Sequence, residues 1–342
     1  MIPHSRPVFG QPFAKAVQQV VASGHTAMGD LSAALEERVA GLLERKSAVA
    51  VDSGTSAITL SLRALARQRS VKRVGIPSYT CSSVLYAVLA AGCEPVCMEC
   101  GHDLRLLADQ ALGQAASLDA VVLVHPFGMV EPLAAASWSC PVIEDIAQAA
   151  GAALNGRPVG SFGDLAIASF YATKPWGGAY GGIVAANDST LSEAVRSMRD
   201  PDGKTALQDY AGHHQLSDLH AAMASVRLDV ADEEQRARKA HAFTMGEWFR
   251  TGEVLPIAGL YNGNFYRYII RTKGQADGWV KKLQELGIGA ARPVQVPIHR
   301  LLNVEAAGAE SAWQNCVSIP LLADASDTEM RKIREAINVC MS

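Results

Sequence analysis

Seven short apolar runs, at 47–51, 73–76, 95–98, 120–124, 142–144, 165–170 and 182–186, punctuate the first half of the chain. Most are four to six residues long, rich in Val and Ile, and bounded by Gly, Pro or polar residues, as strands buried on both faces are. Helical patterns separate the early ones. The clearest are 55–68, which opens on a Thr/Ser cap, and 82–91. Strand and helix in alternation predict an α/β fold with a mainly parallel seven-stranded sheet and helices on both faces. Ligands on such sheets bind at the carboxyl ends of strands. Thr55, Tyr79 and Asp145 each follow a strand directly, so the pattern expects them to converge there.

The second half has a different character. A helical pattern over 217–250 holds no Gly or Pro before Gly246. Beyond it, 265–271 alternates like a half-exposed strand, 277–286 looks helical, 317–320 strand-like and 327–339 helical. This predicts a large domain over 1–228 and a smaller C-terminal α+β domain over 229–342, joined by the long helix. The composition, 49% hydrophobic and 19% charged, is that of a globular protein. A net charge of −3 gives no electrostatic case for nucleic acid or an anionic membrane. There is no apolar run of about 18 residues and no signal-like N-terminus, so the expected location is the cytoplasm. Seven cysteines, an odd number on a long chain, read as reduced thiols. Cys97 and Cys100 form a C-x-x-C near Cys93, but no second pair completes a metal site, so none is expected.

Most of the chemistry sits in 141–182. An apolar run ends in Glu144-Asp145, Gln148 follows, and Lys174 lies just past a later apolar run. A carboxylate at one strand end and a lysine beyond another are what pyridoxal phosphate needs. The carboxylate keeps the pyridine nitrogen protonated, and the lysine amine condenses with the aldehyde. Buried beside an apolar strand, Asp145 needs a cationic partner, which a pyridinium N–H supplies. Gln148, one turn on, has the reach for the ring's phenolic oxygen. Ser53-Gly54-Thr55-Ser56 lies between strand and helix, as either a plain N-cap turn or a phosphate site on free backbone N–H groups. Ser169 stands near enough to Lys174 to add a hydroxyl to the phosphate. His125 and His299 read as hydrogen-bonded structural imidazoles. Arg267 and Arg271, alternating with Tyr266 and Tyr268, form either a solvated strand face or a contact to a substrate carboxylate or phosphate.

Several blocks carry a family likeness. They are SGTSAITLSLRAL (53–65), IPSYTCSSVLYAVLAAGCEPV (76–96), VHPFG (124–128) and EDIAQAAGAALNGRPVGSFGDLAIASFYATK (144–174), with weaker echoes in 217–228 and 296–302. In these the chain resembles the DegT/StrS group of pyridoxal phosphate-dependent nucleotide-sugar aminotransferases, which have the type I transferase fold. The resemblance implies that Lys174 bonds the cofactor and shuttles protons. It puts Asp145 on the ring nitrogen, Gln148 on the ring oxygen, and Thr55, Ser56 and Ser169 on the phosphate, with Ser53 and Gly54 in the same loop. It implies a homodimer with a shared active site, an amino donor, typically glutamate, and a keto-sugar acceptor linked to a nucleoside diphosphate. The chain departs from the family at three places. Cys81 stands where an aromatic residue stacks on the cofactor. His213 replaces an Asn that reaches a neighbouring subunit's phosphate, and Gln215 replaces the Arg of the same segment. Tyr180-Gly181-Gly182 lacks the acid of the usual pattern.

Three other readings compete. One is a pyridoxal phosphate enzyme with a non-transamination activity; Lys174 argues against the family's sugar dehydratases, which carry His there. Another is a ligand-sensing regulator, against which stand the acidic balance and the want of a basic DNA-binding extension. The third is a nucleotide-binding protein using Gly177-Gly178 and Gly181-Gly182 as a phosphate loop, a match without strand–GxGxxG–helix context.

Overall fold

The computed structural model describes residues 1–202, 209–249 and 254–342. Its centre is a seven-stranded sheet. In chain order the elements are α1 (Gln11–Ser23), α2 (Asp30–Leu42), β1 (Ser47–Val51), α3 (Gly54–Ala66), β2 (Arg73–Pro77), α4 (Ser82–Ala90), β3 (Glu94–Met98), α5 (Ala108–Ala115), β4 (Ala120–Val124) and β5 (Val142–Asp145). A small hairpin follows, β6 (Ala153–Leu154) and β7 (Arg157–Pro158), then β8 (Leu165–Ser169), β9 (Gly182–Ala186) and α6 (Ser189–Arg199). The spatial order is β1-β9-β8-β5-β4-β2-β3. All neighbours pair in parallel except β9, which runs antiparallel to both β1 and β8. The predicted mainly parallel seven-stranded sheet is therefore present.

Side-chain alternation along the strands builds two different faces. Val49, Val51, Ile143, Ile167 and Val184 join one core with residues of α3, α4 and α6. Ala48, Ala50, Ala166, Ala168 and Ala185 join the other, with residues of α2 and α7 (Asp218–Gly246). Alanines on that face leave room for α2 and α7 to approach the sheet closely.

Beyond α7 lie β10 (Leu255–Pro256), β11 (Tyr268–Arg271), α8 (Ala276–Glu285), α9 (Ile298–Leu302), α10 (Ala307–Asn315), β12 (Cys316–Ile319) and α11 (Asp327–Met341). The order β10-β11-β12 forms an antiparallel sheet. Residues 2–6 also lie against this layer. Ile2 N–H donates to the Gly287 carbonyl, His4 Nε2 meets Ser318 Oγ at 2.9 Å, and Arg6 pairs with Asp324 and Glu329. The N-terminal segment thus packs on the C-terminal sheet, not on the large one.

Two expectations need correction. The strand expected over 265–271 starts only at Tyr268, because Phe265 has a φ of 54° and cannot continue an extended run. The helix expected to reach residue 250 ends at Gly246 and tightens into a 3-10 turn over Glu247–Phe249; residue 250 lies outside the described residues.

Candidate active site

Strand ends at one edge of the large sheet surround a cavity of about 370 Å³. From β1 and the start of α3 come Ser53, Gly54 and Thr55; from β5, Asp145 and then Gln148; from β8, Ser169; from the loop beyond it, Tyr171, Thr173 and Lys174. Because β9 runs the opposite way, its first residues also reach this edge, and Tyr180 and Gly181 line the cavity too. Cys81, just ahead of α4, and Tyr266 complete the wall.

The acidic pair divides between two tasks. Glu144 points away from the cavity into a fully buried knot. Its carboxylate accepts from the N–H groups of Gly160 (2.6 Å), Phe162 (3.0 Å) and Gly163 (3.1 Å), and meets His125 Nε2 at 2.9 Å. Burial pushes the Glu144 carboxyl up, but His125 and the glycine N–H groups outweigh it and hold it below the ordinary value. His125 Nδ1 in turn accepts from Glu131 N–H, so this imidazole is structural, as expected. Asp145 faces the cavity and accepts one hydrogen bond, 2.9 Å from Ala147 N–H to Oδ1. Burial pushes its carboxyl upward, and the opposing pull of Ala147, Lys174 and His125 does not cancel that. Among the described residues no cation forms a salt bridge with this carboxylate, whose burial leaves it suited to a cationic ligand.

Gln148 Oε1 accepts from Phe127 N–H at 2.7 Å, which fixes the amide and leaves its NH₂ as a donor at the cavity wall. In the 53–56 loop, Ser53 caps α3: its Oγ accepts from Ser56 N–H at 3.0 Å and donates to Ser56 Oγ at 2.9 Å. Ser56 is absorbed in this cap and is not in the cavity lining, whereas Ser53, Gly54 and Thr55 are. Ser169 lies directly under the loop, so close that a Cβ on Gly54 would stand 3.0 Å from Ser169 Cβ.

Lys174 leaves β8 through a tight turn in which its N–H donates to the Tyr171 carbonyl and its carbonyl accepts from Gly177 N–H, both at 2.8 Å. The glycines beyond it are packing devices. A Cβ on Gly178 would sit 2.6 Å from Ala224 N in α7, and one on Gly182 would sit 2.4 Å from the Ser53 carbonyl carbon. These contacts argue against the phosphate-loop reading at Gly177, Gly178 and Gly182, where backbone fills the space a ligand would need.

One placement departs from the convergence expected of strand ends. Tyr79 turns inward: it is buried, with its ring 5.9 Å from Phe127. His213 is exposed and outside the cavity, grouped with Asp200 and Asp202. His299 is buried against Glu310, with Nε2 at 3.1 Å. All seven cysteines are unpaired, and Cys81 alone of them is exposed. Burial pushes the Cys97 thiol up to about 11 and the Cys100 thiol up to about 12, so the C-x-x-C holds two inert protonated thiols.

Tyr266 has no signal in the local sequence. Asn264 donates to the carbonyls of Gln148 and Ala150, and Arg267 N–H donates to the Phe127 carbonyl. These bonds lay 264–267 across the large sheet's edge. Lys174 Nζ stands 5.1 Å from the Tyr266 ring centre, and Thr173 Oγ1 lies 3.4 Å from its hydroxyl. Burial would raise the Tyr266 hydroxyl, but the charges of Lys174 and Arg267 outweigh it and hold it below the ordinary value.

The large sheet, of the type I transferase fold, brings a lysine and a buried carboxylate to one cavity. The chain belongs to the DegT/DnrJ/EryC1/StrS aminotransferase family, whose model matches residues 8–338. Among curated proteins it is similar to a UDP-N-acetyl-3-dehydro-alpha-D-glucosamine 3-aminotransferase of Acidithiobacillus ferrooxidans, 28% identical over 330 residues, covering 91% of this chain and 88% of that one. Among solved structures, the aminotransferase TlmJ from Streptoalloteichus hindustanus superposes with a TM-score of 0.89 at 24% identity, covering 99% of this chain and 98% of that chain. PseC of Helicobacter pylori, an aminotransferase involved in pseudoaminic acid biosynthesis, gives 0.88 at 21% identity, covering 99% of both.

Proposed function

We propose that this aminotransferase uses pyridoxal phosphate to move an amino group from glutamate onto a keto-sugar carried by a nucleoside diphosphate, as a cytoplasmic homodimer. The observation that carries the reading is the meeting of Lys174 and buried Asp145 in one cavity with Gln148 and the 53–55 loop. The cavity's volume is that of a small-molecule site. The A. ferrooxidans relative, named for a UDP-linked sugar, supports the acceptor class.

When bound, pyridoxal phosphate supplies an aldehyde for amines and a ring that accepts electrons. Asp145 would hold the ring nitrogen's proton, a cationic partner for its buried carboxylate. Gln148 NH₂ would donate to the ring oxygen, with its orientation fixed by Phe127 N–H. Thr55, Ser53, Ser169 and the N–H groups opening α3 would take the phosphate. Lys174 Nζ would bond the aldehyde carbon, and its amine would serve to move a proton at the reacting carbon. The Cys81 thiol would lie against the ring, giving less contact than an aromatic side chain. His213, exposed and turned from its own cavity, suits a contact to the neighbouring subunit's phosphate. The free cysteines suit a reducing compartment.

The purified protein loaded with pyridoxal phosphate is expected to lose its visible cofactor absorbance on addition of glutamate. Mass spectrometry should then find an aminated product from a panel of keto-sugar nucleotides. Lys174→Ala abolishes the spectral change; normal turnover by that variant would refute the assignment. Sedimentation should give twice the monomer mass.

A further inference from the structure

A second cavity, about 410 Å³, opens beside the first and shares Cys81, Gln148 and Tyr266 with it. Its wall carries Arg267, whose guanidinium lies 4.3 Å from the Tyr266 ring centre, on the same ring that Lys174 Nζ approaches to 5.1 Å. Arg267 donates to Ser5 Oγ at 2.6 Å and to Tyr266 Oη at 3.0 Å. Among the described residues it has no carboxylate partner, although it is half-buried. Some other buried or half-buried arginines do have one: Arg199 and Arg196 pair with Glu36, and Arg227 pairs with Glu234, whereas buried Arg45 donates to the Gly160 and Gly163 carbonyls. Besides Tyr266, Cys81 and Tyr86, the titratable neighbour at this wall is His4. Burial and the Arg267 charge push its imidazole down to about 3, so it adds no charge at neutral pH. Arg271, the other arginine of the segment, is spent on the His102 carbonyl at 2.7 Å and on Ser311.

We propose that Arg267 is a specificity residue that binds an anionic oxygen group of a substrate whose reacting end is at Lys174. A half-buried guanidinium without a counter-ion gains once a carboxylate or phosphate oxygen reaches its fork. Ser5 and Tyr266 hold two of its nitrogens, which fixes the fork before the ligand arrives. The inference rests on the aminotransferase reading only for which substrate brings the anion: the donor's carboxylate or the acceptor's phosphates.

The test is calorimetric binding to the cofactor-loaded enzyme, with succinate in one arm and UDP in the other. Arg267→Met is expected to weaken one of them by about 10- to 100-fold, and Arg267→Lys by less, since a point charge replaces the fork. Loss in the succinate arm assigns the donor; loss in the UDP arm assigns the acceptor. Unchanged affinity in both arms overturns the proposal. Should the variants fail to fold, wild-type enzyme supplies the reading. Phenylglyoxal labelling of Arg267, located by peptide mass spectrometry, should be slowed by saturating succinate or UDP; labelling indifferent to both overturns it. Neither assay requires turnover. Failure here therefore leaves glutamate-driven loss of cofactor absorbance intact, and failure of that spectral change leaves the binding result interpretable.

Discussion

Glu144 and Asp145 are adjacent and chemically alike, yet the pleat of β5 sends them to opposite faces with opposite shifts. Burial raises Asp145, so its folded-state value exceeds the unfolded one. The stability tied to it is complete at low pH and is lost as pH rises through the folded value. Asp145→Asn is therefore expected to raise the melting temperature of the cofactor-free protein at neutral pH, with the gain vanishing in acid. The same change should cut transamination by at least ~100-fold, by analogy with losing one preorganised electrostatic partner. Glu144 behaves in reverse: it is depressed and engaged by three N–H groups and His125. Glu144→Gln places an NH₂ among donors and should cost about 3 kcal/mol in urea unfolding. The sequence makes the pair conspicuous, because an apolar run ending in acids is a local pattern. It also exposes Gln148 and Lys174 by spacing. It hides Tyr266, which meets Lys174 across a separation of 92 positions and a bend at Phe265 that mimics strand alternation.

At the scale of elements, β9 matters most. Its apolar run is as legible as the other six, but its direction is not, since hydrophobicity carries no sense of polarity along a strand. Reversed between β1 and β8, it brings Gly181 and Gly182 back against Ser53. Gly182→Ala would force its Cβ into the Ser53 backbone, at an expected cost of about 1–3 kcal/mol. Because the obstacle is the backbone of the loop proposed to hold the phosphate, the variant should also lose cofactor faster on dialysis, measured by residual absorbance. A variant at Gly24, where an added Cβ meets nothing but φ is 74°, should lose stability without losing cofactor.

Across the whole molecule, the first residues bind the two layers together. Ile2 is buried in the C-terminal core, Arg6 pairs with Glu329, and Val8 accepts from Arg227 of α7. Nothing in the composition of this segment announces such a path. Removing residues 1–6 should cost about 2–3 kcal/mol, chiefly from exposing the Ile2 site, and should weaken anion binding because Ser5 no longer steadies Arg267. His4 gives the segment a pH signature. It is depressed to about 3 from 6.5, so its stability contribution is whole above pH 6.5 and drains away as pH falls toward 3. His4→Gln should flatten that acid limb in denaturation curves taken across the window.

The contact between Gly182 and Ser53 has a consequence for how such an enzyme changes over time. The loop that begins α3 and the strand returning from Lys174 touch backbone to backbone, so no side chain sets their separation. Substitutions at Cys81, Tyr180 or Arg267 can reshape what enters the cavity without altering the spacing between its two ends. The chemistry is thereby insulated from the choice of substrate.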